Sequence, residues 1–421
     1  MDRRRGLRGS RRRSGRRRRA RRARRDLRVA RSLGRVRRQP GQVHQAARAV
    51  KVLHVTPTFY PQVGGIELVV QNLAVHSKRL GVEAEVLHVA TEIEELSTLT
   101  LDGVKVTKVP LRGHRLIGYA PQMRQALEGF DLLHVHDPQL MAISANVMLS
   151  GSALPRVLST HGGFHHTHQL GGFKRLHERF ALRRMLAPYR MVLATSQSDA
   201  TYFGQYVAST DRLRVTGNGI DVARYRVADR PAEGDVHRWI YWGRLSANKR
   251  VDCLIASVEQ LRSAGHRIDL LIAGKDVDGL AASYQARIDA AGLSDSVRIA
   301  PPLSDTELKA ELRQRTVFIT GSQYEGFGLT LLEAMAAGLL VVCRDVEPMN
   351  GFVQSGVNGL CLAFDGSDAD VARLVDFVSM DAARQQAMRA ASTAFADTYD
   401  WPRIAERFIG AYREVLDAPA P

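Results

Sequence analysis

The stretch Tyr324-Glu325-Gly326-Phe327-Gly328-Leu329-Thr330-Leu331-Leu332-Glu333-Ala334-Met335-Ala336-Ala337-Gly338 sets two carboxylates eight residues apart, with a Gly-Phe-Gly turn and then strong helix formers between them. This reads as a turn carrying Glu325, followed by a helix that begins at Gly328 or Leu329. The first N–H groups of such a helix have no partner within it and sit at the positive end of its dipole, an arrangement suited to a phosphate. Residues Gly326 to Thr330 would form that anion site. Glu333 lies too deep in the helix to cap it and is placed to accept hydrogen bonds from ligand hydroxyls. A diphosphate at the helix end, flanked by carboxylates that read hydroxyls, suggests a nucleotide sugar.

Outward from this motif, short apolar runs alternate with helical patterns. Before it come strand candidates at 50–55, 84–89, 104–109, 131–136, 156–160 and 191–195, with an amphipathic helix over 66–79. A second series lies at 238–242, 269–273, 296–299, 317–320 and 340–343. Apolar strands separated by helices predict parallel sheets covered on both faces. The polar stretch 228–234 divides the two series. The closing segment 401–416 carries Ile404, Phe408, Tyr412 and Leu416 at helical spacing.

Three further motifs fall at strand ends. In Trp242-Gly243-Arg244-Leu245-Ser246-Ala247-Asn248-Lys249, two cations follow a strand; the planar fork of Arg244 and the point charge of Lys249 both suit a diphosphate. In Ser159-Thr160-His161-Gly162-Gly163-Phe164-His165-His166-Thr167-His168, four histidines lie within eight residues, but two glycines interrupt them and no carboxylate or cysteine joins them, so we expect no metal there. Pro61-Gln62-Val63-Gly64-Gly65-Ile66-Glu67 follows the first strand, and its paired glycines allow close approach of backbone to ligand. His134 and His136 share one strand face and read as hydrogen-bonded structural residues. Asn218-Gly219-Ile220-Asp221 reads as a turn before the linker. Asp276-Val277-Asp278 matches a metal-binding DxD pattern formally, but is expected to be a plain loop pair.

The Glu325/Glu333 spacing, with these flanking motifs, resembles the retaining glycosyltransferases of GT-B architecture in family 4, over about nine-tenths of the chain from residue 50 onward. The resemblance implies two Rossmann-like doubly wound domains facing across a cleft: an acceptor domain over 49–228, a nucleotide-sugar domain over 229–398, and a helix over 399–421 crossing back to the first. It implies that Arg244 and Lys249 hold the leaving diphosphate, that Glu325 holds sugar hydroxyls and supports charge at the anomeric carbon, and that Glu333 binds the ribose. His161 would touch the donor sugar, and Gly64 and Gly65 would face the phosphates and the acceptor. The histidine-rich run is most similar to bacterial exopolysaccharide α-mannosyltransferases, which implies GDP-mannose as donor and a polyprenyl-diphosphate-linked glycan as acceptor, with no cofactor. A UDP-hexose donor is the alternative, since base identity rests on contacts near 299–303. Two departures stand out. Leu339-Leu340 replaces the usual proline before the next strand, and 345–351 lacks the expected glycine-rich loop.

Charge is distributed unevenly. The first 48 residues hold 21 arginines, no lysine and two acids, a net of +19; the remainder carries −2. The high overall charge therefore does not mark a nucleic-acid-binding fold. The arm lacks hydrophobic periodicity and the apolar core of a secretory signal, and is expected to be disordered. It is either a start site placed too early or a segment for anionic lipid. A non-catalytic RNA- or membrane-binding protein acting through this arm is the reading of another class, and the intact acidic and basic motifs oppose it. Three scattered cysteines point to a reducing cytoplasm, and without a run of eighteen apolar residues nothing is expected to span a membrane; the lipid-linked acceptor that the resemblance implies would place the enzyme as a peripheral protein on the inner membrane's cytoplasmic face.

Overall fold

Fourteen strands assemble into two sheets in the computed structural model, which describes residues 48–61, 64–115, 117–137, 141–162, 182–227 and 237–419. The first sheet contains β1 (Lys51–Thr56), β2 (Glu83–Ala90), β3 (Ser97–Leu101), β4 (Val104–Pro110), β5 (Leu132–His136), β6 (Arg156–Ser159), β7 (Met191–Ala194) and β8 (Leu213–Val215), in spatial order β3-β4-β2-β1-β5-β6-β7-β8. All neighbours run parallel except β3 and β4. The second sheet contains β9 (Arg238–Trp242), β10 (Asp269–Ala273), β11 (Val297–Ala300), β12 (Val317–Thr320), β13 (Leu340–Arg344) and β14 (Leu360–Leu362), in the order β11-β10-β9-β12-β13-β14 and wholly parallel. In each sheet the chain moves outward from a central strand and then returns to its other side, between β1 and β5 and between β9 and β12. Such reversal points open a crevice at the carboxyl ends of the strands, where ligands of doubly wound sheets bind.

The helices that bear on the site are α1 (Gly65–Arg79), α2 (Val222–Tyr225), α3 (Val251–Ser263), α4 (Leu329–Ala336), α5 (Met349–Phe352), α6 (Ala382–Asp397) and α7 (Trp401–Asp417). The apolar stripe of α7 decides where the chain ends. Trp401, Ile404, Phe408, Ile409, Tyr412 and Val415 are buried, and they pack with Val69 and Leu73 of α1 and with Val52, Leu132 and Val157 of the first sheet. The terminal helix therefore belongs to the core of the first half although its sequence follows the second. The returning chain is pinned where it crosses the linker. Ile220 N–H donates to Tyr399 O (2.9 Å), and Trp401 N–H donates to Ile220 O (3.2 Å). Asp221, in the turn foreseen from Asn218-Gly219, caps α2 by accepting from Arg224 N–H.

Strands with continuous apolar runs lie within a residue or so of the positions read from sequence. The polar edge strand β3 and the three-residue β8 and β14 were not anticipated. β3 is largely exposed and held by pairing with β4 rather than by burial, so its composition gives no core signal. The other two are too short for periodicity. Among the described residues no helix is long and apolar enough to cross a membrane. The arginine arm up to residue 47, the linker stretch 228–234, and His165, His166 and His168 lie outside the described residues.

Candidate active site

A cavity of about 1020 Å³ opens where the carboxyl ends of the two sheets meet. Gly65, His161 and Asn218 line it from the first half. Trp242, Arg244, Lys249, Glu325, Gly326, Phe327, Gly328, Leu329 and Thr330 line it from the second. Residues separated by up to 265 positions in sequence thus converge on one crevice. Its volume is that of a site for a nucleotide-sized ligand.

The floor on the second half follows from local backbone geometry. Gly328 adopts φ +87°, a left-handed conformation that L side chains rarely take, and so turns the chain into α4. Gly328, Leu329 and Thr330, at the start of α4, line the cavity. Lys249 ends a short 3-10 turn after β9, and its Nζ donates to Glu325 Oε1 at 2.6 Å. Both side chains are largely shielded, at 15% and 19% exposure, so this pair is not one of the solvated surface contacts worth little. Asn248 fixes the loop that carries Glu325: its Nδ2 donates to Tyr324 O (2.8 Å), and its carbonyl accepts from Gln323 N–H (2.9 Å). The Tyr241 hydroxyl donates to Arg244 O (2.9 Å), bracing the loop that carries the second cation. Burial, with the Glu325 charge behind it, pushes the Tyr241 phenol well above its usual range, so it stays protonated and keeps donating.

Glu333 is placed differently from the other motif residues. It sits one turn into α4, where Tyr225 and Trp242 lie beside its carboxylate and Arg224 is nearby. Burial raises its pKa, and these neighbours oppose the rise. A carboxylate accepts about four hydrogen bonds, so two protein donors leave capacity for a ligand hydroxyl. Tyr225 was not singled out in the sequence; it precedes the linker in no recognisable motif, and only the fold brings it to Glu333.

The first half meets this floor through the loop after β6. Gly162 has φ +64°, and a Cβ there would come within 3.1 Å of Gly326 O, so the two loops touch backbone to backbone. His161 precedes it, also at positive φ (+54°). Its Nε2 is 2.8 Å from His136 Nδ1, and burial lowers its pKa to about 4, so the ring is neutral at physiological pH. Gly65 opens α1 and lines the same cavity, while Gly64 is the N-cap residue, packed against the Glu67 carboxylate.

His134 and His136 are fully buried and hydrogen-bonded. His134 contacts the Tyr412 hydroxyl and Ser159 Oγ, each at 2.7 Å; His136 contacts His161 and, through Nε2, His54 Nδ1 at 3.0 Å. His54 was passed over in the sequence as one residue of a strand. Its signal was a titratable side chain at an inward position among Val52, Leu53 and Val55. His54, His134 and His136 bring ring nitrogens within 4.8 Å of one another, the one such grouping among the described residues. Both nitrogens of His134 and of His136 already have protein partners, and no carboxylate joins them to offset a cation's charge, so the set does not suit a metal. In the DxD pair, both oxygens of Asp276 accept backbone N–H groups of Leu280 and Ala281, and Asp278 accepts Ala247 N–H. These are loop and helix-capping roles.

Known proteins agree with this architecture. Residues 63–224 match the family described as Glycosyltransferase Family 4, and residues 228–395 match Glycosyl transferases group 1. The GDP-mannose:cellobiosyl-diphosphopolyprenol alpha-mannosyltransferase of Komagataeibacter xylinus is 32% identical over 378 residues, 88% of this chain and 95% of that protein. The protein of the same description from Xanthomonas campestris is 31% identical, covering 88% and 98%. The crystal structure of Anabaena Alr3699/HepE in complex with UDP superposes with a TM-score of 0.69 at 19% identity, over 87% of this chain and all of that one.

Proposed function

The chain belongs to the family 4 glycosyltransferases, and from that membership we propose that it moves α-mannose, with retention of configuration, from GDP-mannose to a polyprenyl-diphosphate-linked oligosaccharide of exopolysaccharide assembly. The observation that carries the transfer chemistry is the convergence of Arg244, Lys249, Glu325 and the start of α4 with His161 in one crevice. The activity by which the two mannosyltransferases are named supports the choice of donor and acceptor. The UDP complex shares the fold at low identity and does not bear on the base.

In this reading the diphosphate lies against Arg244, Lys249 and the first N–H groups of α4. These fixed positive groups stabilise the charge that grows on the leaving oxygen. The bond from the anomeric carbon to that phosphate oxygen breaks, and a bond to the acceptor hydroxyl oxygen forms on the same face. The hydroxyl proton passes to the departing phosphate oxygen. Glu325 accepts hydrogen bonds from sugar hydroxyls and opposes the positive charge at the anomeric carbon, Glu333 takes ribose hydroxyls, and His161 contacts the sugar from the other wall. Gly64 and Gly65 bring the first half close to the phosphates and acceptor. Charge neutralisation rests on protein cations and not on a divalent metal; the engagement of Asp276 and Asp278 with backbone N–H groups supports this. Because a polyprenyl-linked acceptor is anchored in lipid, the enzyme works as a peripheral protein at the cytoplasmic face of the membrane.

The test is transfer to a detergent-solubilised polyprenyl-diphosphate disaccharide, with GDP-mannose, GDP-glucose, UDP-glucose and UDP-galactose in parallel and the new linkage read by NMR. Turnover with GDP-mannose giving an α-linkage is expected. Preference for a UDP-sugar, or a β-linked product, overturns the proposal.

A further inference from the structure

Two fully buried imidazoles and a half-buried third form an unbroken line from the core of the first sheet to the cavity. His54 lies on β1 and His136 on β5, and His161 follows β6. His54 Nδ1 and His136 Nε2 are 3.0 Å apart; His136 Nδ1 and His161 Nε2 are 2.8 Å apart. The parallel pairing of β1 with β5 and of β5 with β6 fixes these spacings, and the His54 and His136 rings stack with centroids 5.2 Å apart.

A neutral imidazole carries one N–H and one bare nitrogen, so this line can exist in only two states. In one, His54 holds its proton on Nδ1 and donates to His136, which donates from Nδ1 to His161; His161 then carries its own proton on Nδ1. In the other, every donation runs the opposite way, and His161 Nδ1 is a bare acceptor. The choice is made at the far end. His54 Nε2 is buried and has no hydrogen-bond partner among the described residues. The second state would put an N–H there, and orphaned buried N–H groups are rare among folded proteins. The first state leaves only a lone pair. At the cavity end either form of His161 Nδ1 can be met by solvent or ligand. His134 does not bias the line, because its partners Tyr412 and Ser159 are hydroxyls that can donate or accept. Burial holds all four rings in the neutral form that the two-state description requires.

We infer that His54 and His136 are positioning residues that lock His161 as the Nδ1–H tautomer, so that it faces the cavity as a hydrogen-bond donor and not as a base. The inference rests on the reading of His161 as a sugar contact for its consequence, though not for its geometry. A donating His161 binds a sugar oxygen but cannot take the acceptor's proton, which leaves the departing phosphate oxygen as the base.

The experiment is a long-range ¹H–¹⁵N spectrum of the full chain labelled at histidine, in which the two tautomers give distinct patterns, with His161 assigned from its loss in His161→Ala. The expected result is Nδ1–H at His161 in the wild type. His54→Met sets a thioether, which can accept but cannot donate, against His136 Nε2 and favours the reversed line, so His161 should shift toward the Nε2–H form and kcat should fall with the fraction of Nδ1–H that remains, up to about tenfold, the value of one hydrogen bond to a reacting group, with the donor KM little changed. His54→Asn, which sets an amide donor where Nδ1 stood, should keep both the wild-type spectrum and most of kcat, which a general loss of packing would not allow. Nε2–H at His161 in the wild type, or a His161 pattern that His54→Met leaves unmoved, overturns the inference. The spectrum needs no substrate, so failure of GDP-mannose as a donor would count against the proposed function alone.

Discussion

Lowering the pH from 7.5 to 5 tests whether the buried histidine line is neutral, as its geometry requires. Burial depresses the pKa of His54 to about 3 and that of His161 to about 4, and puts His134 and His136 well below their ordinary range. In the unfolded chain these groups titrate near 6.5. Below that pH the unfolded state binds protons that the folded state refuses, so stability is complete above about pH 6.5 and falls as the pH drops toward the folded values. Each pH unit costs about 1.4 kcal/mol per histidine, so pH 5 removes about 2 kcal/mol for each, a figure set by the unfolded pKa as long as the folded one stays below 5. His54 and His161 together contribute about 4 kcal/mol, a large share of the whole stability of many domains, and His134 and His136 act in the same direction. Hydrogen exchange of the β1 and β5 amides, corrected for intrinsic rates, reads the opening free energy of this sheet without requiring the chain to unfold as a unit. His76 and His88 are displaced in the same direction, so the decisive comparison is with His54→Leu. That variant should lose about 1.4 kcal/mol per pH unit of slope between pH 6 and 5. Equal slopes in variant and wild type, or a wild-type opening energy unchanged from pH 7.5 to 5, would refute the assignment of neutral buried rings.

Lys249→Ala and Arg244→Ala should each weaken nucleoside-diphosphate binding and slow transfer by roughly 10- to 100-fold, since a charged hydrogen bond is worth about 1.5–3 kcal/mol; calorimetry showing wild-type affinity in both removes them from the diphosphate. Glu333→Gln should reduce GDP affinity about tenfold while the melting temperature stays near that of the wild type, because Tyr225 and Trp242 can still donate to the amide oxygen; unchanged affinity takes Glu333 off the ribose. Transfer should persist in excess EDTA, and loss of activity restored by magnesium or manganese would instead promote Asp276 and Asp278 to metal ligands. A chain starting at Ala49 should keep transfer to a detergent-solubilised acceptor and lose salt-sensitive binding to anionic vesicles; vesicle binding equal to that of the full chain would place the membrane contact in the folded part.

What could be read from the sequence was whatever a local pattern determines. The Gly-Phe-Gly turn and the helix formers after it locate the start of α4 within one residue, because positive φ at Gly328 and a run of good helix formers need no tertiary help. Arg244 and Lys249 were legible because a strand end followed by cations is a one-dimensional signal. The long-range residues were not. Tyr225 reaches Glu333 only because the linker folds α2 against α4, and His54 reaches His136 only because β1 and β5 are neighbours across the point where strand order reverses. The four-histidine run drew attention to His161 and its successors, yet the partners that order His161 come from two other strands. Strand identity was read well, and strand adjacency, which creates the histidine line, cannot be read from any window of the chain.

The Lys249–Glu325 pair resolves an apparent conflict in the site. A carboxylate beside a bound diphosphate would repel it, and in a shielded crevice such repulsion exceeds its value in water several-fold. Yet the chemistry asks for an ionised oxygen near the anomeric carbon. At 2.6 Å, Lys249 offsets the charge of Glu325 without removing its lone pairs, because the contact engages only Oε1. In the proposed mechanism Oε2 is the oxygen left for sugar hydroxyls, and Arg244 with the N-terminus of α4 would give the phosphates an attractive surface. The pair also explains why Glu325 can sit on a turn and not on a rigid element. Asn248 ties the turn's backbone at Tyr324, and the residue after Asn248 supplies the cation that holds the side chain. One short segment after β9 therefore positions the carboxylate twice, through its loop and through its charge, and a substitution at Asn248 should disturb Glu325 as surely as one at Lys249.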